Sequence, residues 1–369
     1  MKVNTSKTKV MIFKKGALPR NLAFYYDGEL LDIVNKFTYL GIVFTCGGSL
    51  STAQSTLAGQ AQKAVFKLNK YLYKFTYISP KNKLELFDKL VAPILNYCSE
   101  VCGFSKDLSI ERVHLQFCKK LLGVKKTTQN DFIYGELGRI SFKCIHFYNI
   151  IKYWTKIVCT NENKYVTLVY KMLKDDLENA PNKVNWCSLL KNLLCSLGFY
   201  DAWLQQSVGN TNLFLSMVKQ RINDQFIQNW QDRLENSSRA LFYRNIASFR
   251  FQPYLEYLSV NKFCQSLVQL RVSSHRLQIR AGRWARPLSI PVNERRCHIC
   301  NVLEDEFHFV LECILYNDLR KQYISLKFCR RPNMYKFIDL LNNENQSVVK
   351  KFGAYVYHVF TLRNANMYQ

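Results

Sequence analysis

The chain opens on a period of two. VMIF (10–13) is a short apolar run, and LAFYYDGELLDIV (22–34) holds two strand-like runs around Asp27-Gly28, a two-residue hairpin signal. A further aromatic and β-branched run, FTYLGIVF (37–44), reads as one more strand closed by the turn-prone CGGS. Such short strands make a ribbon rather than a domain. Its apolar face calls for a partner layer that the chain does not obviously supply, so the ribbon reads as part of a truncated domain. From about residue 51 the period becomes 3.6. In AQKAVFKLNKYLYKF (61–75), Lys63, Lys67, Lys70 and Lys74 fall at i, i+4, i+7 and i+11, while Val65, Leu68, Leu72 and Phe75 turn to the other side. A solvated helix face produces such a stripe as readily as a phosphate-binding one. SPKNKLELFDKLVAPILNYCSEV (79–101) reads as a helix kinked at Pro93, and SIERVHLQFCKKLLG (109–123) as one capped by Gly123. Residues 126–260 are mostly helical in pattern, with polar breaks at TNENK (160–164) and ENAPNK (178–183).

Charge changes this picture. The 369 residues include 52 Lys plus Arg against 27 Asp plus Glu, a formal net charge of +25, with 48% apolar and 14% aromatic residues. Global disorder is excluded by that apolar content, and a field of this sign favours polyanions, nucleic acid or an acidic membrane face. No stretch approaches bilayer-spanning length, and MKVNTSKTKVMIFKKG lacks the apolar core of a signal peptide. The thirteen cysteines are scattered and odd in number, which suits free thiols or metal ligands in an intracellular protein, nuclear and/or cytoplasmic. Cys98 and Cys102, four apart, read as packed thiols on one helix face.

One cluster stands apart: CHICNVLEDEFHFVLEC, residues 297–313. A C-x2-C pair alone is expected roughly 0.46 times by chance at this cysteine content, but a following His and Cys at fixed spacing bring chance down to roughly the per cent level. Cys297, Cys300, His308 and Cys313 are therefore read as four ligands of a structural zinc, worth on the order of 10 kcal/mol of folding energy to a segment with little core. His308 and Cys313 lie about 140° apart on an ideal helix, so His308 should stand at or just before the start of the EFHFVLEC helix. His298, adjacent to Cys297, is the weaker candidate. The alternative is a pair of buried thiols beside a packed histidine. Upstream, HRLQIRAGRWARPLSIPVNERR (275–296) places Arg276, Arg280 and Arg283 at i, i+4 and i+7, with Arg286, Arg295 and Arg296 extending a basic surface suited to phosphates. Trp284 reads as a core plug between zinc module and helix, with base stacking as the alternative.

Together these residues resemble a known family. NTSKTKVMIF (4–13) and FTYLGIVF are similar to the end of the palm in reverse transcriptases of non-LTR (LINE-type) retrotransposons. LVAPILNYCSEVCGFS (90–105), ERVHLQFCKKLLGV (111–124) and YGELGR (134–139) resemble its thumb and the segment beyond. RLQIRAGRW (276–284), C-x2-C-x7-H-x4-C, Tyr316 and Arg320 resemble its C-terminal zinc-knuckle region. The resemblance implies a palm whose two-metal aspartate site, with an aromatic-x-Asp-Asp turn, would precede position 1. The pair Asp175-Asp176 lacks that aromatic, and Asp27 has no second carboxylate cluster near it. Nucleotidyl transfer needs two Mg²⁺ held by at least two carboxylates, so Mg²⁺ is expected only where an upstream palm is present. Lys7 matches a family lysine that assists pyrophosphate departure, YLG (39–41) lies where the palm grips the primer, and the lysine-striped helix matches the thumb helix that tracks template–primer. The zinc region is implied to bind element RNA or target DNA.

The expectation is thus a mainly α chain with a short N-terminal β ribbon and a small CCHC zinc knuckle. Its segments are a palm remnant (1–45), a thumb-like helical domain (46–125), a helical linker (126–260), an Arg-rich zinc region (261–330) and C-terminal helices (331–369). Its expected role is sequence-tolerant binding of RNA and/or DNA, with no membrane partner and an intact reverse transcriptase as a possible associate. The alternatives are a complete reverse transcriptase truncated only in the gene model, and a non-catalytic zinc-dependent protein-interaction module.

Overall fold

The computed structural model describes residues 3–14, 22–74, 78–160, 164–180, 182 and 184–367. The described chain is mainly helical, and its strands all lie in the N-terminal ribbon. These are β1 (Lys9–Val10), β2 (Phe24–Tyr26), β3 (Glu29–Ile33), β4 (Lys36–Tyr39) and β5 (Ile42–Thr45). β2 and β3 form the expected hairpin, pairing Tyr26 with Glu29 across Asp27 (φ 51°) and Gly28 (φ 81°). Two consecutive positive φ values are what a tight turn matching strand twist requires. β1 runs parallel to β3, with Lys9 opposite Asp32 and their side chains 2.5 Å apart. Met11–Phe13, the rest of the VMIF run, lies outside any strand.

FTYLGIVF is not one strand. β4 and β5 pair with each other across Leu40 (φ 47°) and Gly41 (φ 80°), making a second hairpin. A leucine in the left-handed region is disfavoured, which is why the apolar run hid the turn; Tyr97 Oη donates to the Leu40 carbonyl at 2.7 Å and fixes it. Only β5 reaches a core, through Ile42 and Val43; all of β2, with Leu30, Phe37 and Tyr39, is exposed.

Helix α1 (Ser51–Lys74) carries the lysine stripe and α2 (Pro80–Leu90) follows. Val65 and Leu72 on α1 are half-buried and Leu68 is buried, whereas Phe75 lies outside the described residues. The segment 79–101 is more broken than a single kink. α2 stops at Leu90, Pro93 sits in the first turn of Ala92–Leu95, and Cys98 at φ 55° starts a separate turn, Ser99–Cys102. Pro is tolerated there because first-turn N–H groups lack intrahelical partners. Cys98 and Cys102 still bring their sulfurs to 3.7 Å. Ser109–Leu122 ends at Gly123 (φ 65°) as expected.

The chain forms two compact units, each discontinuous in sequence: residues 1–71, 86–114 and 141–224, and residues 72–85, 115–140 and 225–369. In the first, Phe142–Thr160, Lys164–Asn179 and Trp186–Ser196 pack Ile150, Trp154, Tyr170, Leu190 and Leu194 into an apolar core. Asn185 caps the third of these helices in a reciprocal box with Ser188. Asp175 and Asp176 lie within Lys164–Asn179, on a helix and not on a hairpin turn. In the second unit, Asn130–Leu137 is almost wholly buried, as are most apolar positions of Asn261–Arg271 and Met334–Leu341. Among the described residues no helix is long and apolar enough to cross a membrane.

Candidate metal centre

The four residues of the C-x2-C-x7-H-x4-C motif converge. One ligand atom from each of Cys297, Cys300, His308 and Cys313 lies within 4.8 Å of all the others. A tight turn supplies the first two. Cys297 N–H donates to the Val302 carbonyl at 2.7 Å, Asn301 N–H returns to the Cys297 carbonyl at 2.9 Å, and Asn301 takes φ 53° to close it. Arg296 and Leu303 bridge below the turn. Asp305 then accepts the His308 N–H at 2.8 Å, satisfying a donor that the start of a helix leaves open.

The second pair depends on an unusual winding. His308–Glu312 is a π-helical turn, closed by Cys313 N–H donating to the His308 carbonyl at 2.8 Å. Closing i to i+5 rather than i+4 widens the turn and brings residue 313 back over residue 308. That winding reduces the separation of about 140° expected of an α-helix. Arg320, from Asn317–Tyr323, donates to the carbonyls of Val310 (3.0 Å) and Cys313 (2.6 Å), tying off the end of the turn.

The spacing suits a metal ion. Cys313 Sγ lies 3.9 Å from Cys297 Sγ and 3.8 Å from Cys300 Sγ. A disulfide needs about 2.05 Å, whereas thiolates about 2.3 Å from a tetrahedral ion stand about 3.8 Å apart. Both ring nitrogens of His308 are buried without a hydrogen-bond partner, and the Glu312 carboxylate is 3.6 Å from Nδ1. An imidazole is left so when a nitrogen serves as a ligand and a carboxylate orients the ring. Cys297, Cys300, His308 and Cys313 can therefore hold a metal ion. His298 is exposed and turned toward Gln278, away from the cluster.

The basic residues divide into surface and framework. Arg276, Arg286 and Arg296 are exposed, and Arg280 and Arg283 are half-buried. They do not share one helix face, because the only α-helix there is the single turn Gln278–Ala281, which begins after Arg276. Arg295, expected on the basic surface, is instead buried, donating to the carbonyls of Ile290 (2.8 Å) and Ile279 (2.9 Å). Trp284, expected in the core, is instead 67% exposed. Arg239 stands over its ring, 5.3 Å from the centroid. No local pattern near residue 239 pointed to this arginine; it is forty-five positions away in sequence.

Elsewhere, Lys63, Lys67, Lys70 and Lys74 are all exposed on α1, and Phe66 (73%) and Tyr73 (89%) stand exposed among them. Within the second unit a cavity of about 460 Å³ is lined by Lys125, Arg276, Tyr357 and Phe360, among others. Compared with protein-family models, curated proteins and solved structures, the chain gives no match.

Proposed function

We propose that this chain is the nucleic-acid-binding C-terminal part of a non-LTR retrotransposon reverse transcriptase, built around a structural zinc. The observation that carries the reading is the convergence of Cys297, Cys300, His308 and Cys313 at the motif spacing that the family resemblance singled out. Three thiolates and one imidazole form a donor set that suits Zn²⁺, and four of them close the tetrahedron without an open position for a catalytic water. The ion's role is then to hold the knuckle in shape, with Arg320 and Asp305 setting its backbone. Polyanion binding is supported by the net charge of +25, by the aromatic-flanked lysines of α1, and by the exposed arginines beside the knuckle. RNA and DNA both fit a surface that offers cations and aromatic faces rather than groove-reading side chains.

Polymerase chemistry would require the carboxylate-bound Mg²⁺ pair of a palm contributed by other sequence. The uncovered strand β2, with Phe24, Tyr25 and Tyr26 all exposed, is the surface through which an intact reverse transcriptase could associate. That same strand favours, as a second reading, a zinc-dependent protein-interaction module. Thirteen free cysteines go with an intracellular setting, nuclear and/or cytoplasmic.

The test is metal analysis of the purified full chain, with heparin and nucleic-acid retention measured over a salt series. One zinc per chain, lost in Cys297→Ser, and retention that falls steeply with salt are expected. Zinc without any retention would select the protein-interaction reading. A metal-free, well-folded chain would remove the zinc knuckle and the family assignment together.

A further inference from the structure

We infer that Trp284 and the arginines around it form a platform for an unpaired base of single-stranded nucleic acid. This deepens the nucleic-acid reading above and rests on it. Of the five tryptophans, Trp154, Trp203 and Trp230 are buried, and Trp186 is half-buried with its indole N–H given to the Glu100 carbonyl at 3.1 Å. Only Trp284 offers an open ring. A tryptophan that gains nothing from burial leaves apolar surface in water, a cost that a stacking ligand removes.

The ring is held ready by its neighbours. Arg280 donates to the Arg239 carbonyl at 2.7 Å and Arg283 to the Ser238 carbonyl at 3.4 Å, which fixes the stretch carrying Arg239 beside the Gly282–Trp284 turn. Arg295 passes beneath that turn. A Cβ on Gly282 would come within 2.7 Å of its Cγ, so the glycine is what allows the approach. Burial, and then the charges of Arg283, Arg239 and Arg295, hold the Arg280 guanidinium below its ordinary range, with Glu306 opposing. Arg283 is shifted the same way by burial and by Arg295 and Arg239. The acid that acts on Arg280, Glu306, is itself buried and already bonded to His275 (3.0 Å) and Ser273 (2.6 Å). Guanidinium groups crowded in this way repel one another and are relieved by an anion.

A phosphodiester supplies the anion and its base supplies the π-face. With Arg239 against one side of the indole, a base stacks on the open side while adjoining phosphates meet Arg239 and Arg283. Duplex bases already stack on each other and show only their edges, so the platform selects unpaired strand, and it tolerates any base because each has a π-face.

The test uses the zinc-loaded full chain, a labelled oligo-dT of about 16 nucleotides and a blunt duplex of equal length, at one fixed salt concentration. Single strand should quench the exposed tryptophan fluorescence. Trp284→Leu should abolish the quench and weaken single-strand binding about tenfold or more, leaving duplex binding within about twofold. Trp284→Phe should recover most of the affinity, since it keeps a stacking ring. Zinc content and thermal melting report whether the variants fold; should Trp284→Leu fail to fold, the wild-type quench and the Trp284→Phe affinity decide. Equal loss on both probes, no loss on either, or an unquenched wild type would each overturn the platform while leaving general polyanion binding intact. Binding of neither probe by the wild type would overturn the nucleic-acid reading as well.

Discussion

Both ring nitrogens of His308 are buried without a hydrogen-bond partner, the Glu312 carboxylate standing 3.6 Å from Nδ1. Leaving a buried polar group unsatisfied costs about 1–3 kcal/mol, so a ligand role repays what an apolar side chain would avoid. His308→Ala is accordingly expected to lower zinc retention and the melting temperature together, whereas in chelator-treated protein the same substitution should change the melting temperature little. A loss of stability that is equal with and without zinc would make the histidine a packing residue. A second histidine gives a prediction in pH. Burial holds the His146 imidazole below its ordinary 6.5, against the opposing pulls of the Leu95 carbonyl, 3.1 Å from Nε2, and of Glu111. The unfolded chain then takes up the proton more readily than the folded one. Stability is full above 6.5 and is lost as pH falls below it toward the depressed folded value. The melting temperature of wild type should drop between about pH 7 and about pH 5.5 more steeply than that of His146→Gln; parallel curves would show that His146 titrates normally. At this scale the convergence of the four Cys/His residues was legible because metal chemistry restricts residue type and spacing. The fates of Trp284 and Arg295 were not, since composition favours the reverse: indoles are usually covered and guanidinium groups usually solvated.

Helix Asn130–Leu137 shows why a short motif can be dictated by packing. In YGELGR, a Cβ on Gly135 would stand 2.6 Å from Tyr243 Oη, and Gly138 (φ 60°) turns the chain against the backbone of Phe251. Between them Glu136 is fully buried, bound by Arg271 Nε and Nη2 at 3.1 and 3.2 Å and by the Tyr254 hydroxyl. Arg271 also donates to the Leu341 carbonyl at 2.7 Å and lies 5.0 Å from the Tyr254 ring centroid. The pair thereby ties Asn130–Leu137 to Asn261–Arg271 and to the end of Met334–Leu341. Arg271→Met should destabilise this unit by about 3–5 kcal/mol, because it strands a buried carboxylate, and adding Glu136→Gln should restore a large part of that. Denaturant unfolding of the single and double variants would show it, and an additive double would mean the two residues do not act as a pair. Helical segments followed largely from periodicity, and the Asp27-Gly28 turn from residue chemistry. What escaped were local backbone departures with no residue signature: the left-handed Leu40 that splits FTYLGIVF, the left-handed Cys98 that separates Ser99–Cys102 from the turn before it, and the π turn that aligns His308 with Cys313.

At the scale of the molecule, compact units assembled from non-adjacent segments are not delimited by any linear change in composition. Charge is the property that sequence conveyed most directly, and it makes the last prediction quantitative. Each phosphate neutralised by a protein cation releases counterion, so log K against log salt falls by about 0.9 per contact on duplex and about 0.7 on single strand. Two cationic surfaces reach solvent: the exposed Lys63, Lys67, Lys70 and Lys74 on α1, and the exposed Arg239, Arg276 and Arg286 with the half-buried Arg283, near the Cys/His cluster. Arg295 is left out because its guanidinium is spent on backbone carbonyls. Gln substitution of either set removes four charges without removing the side-chain stems that cover neighbouring apolar surface. If both surfaces grip the same polyanion, each quadruple variant flattens the slope by several units and the combined variant by the sum of the two. If the α1 lysines are only a solvated face, their variant keeps the wild-type slope, and the arginine variant carries the whole change. Slopes unchanged in both would take the polyanion off these surfaces altogether. The salt series separates these cases where a single affinity would not, because a lost phosphate contact changes the slope itself, whereas partial unfolding lowers the fraction of competent protein and shifts the line without tilting it.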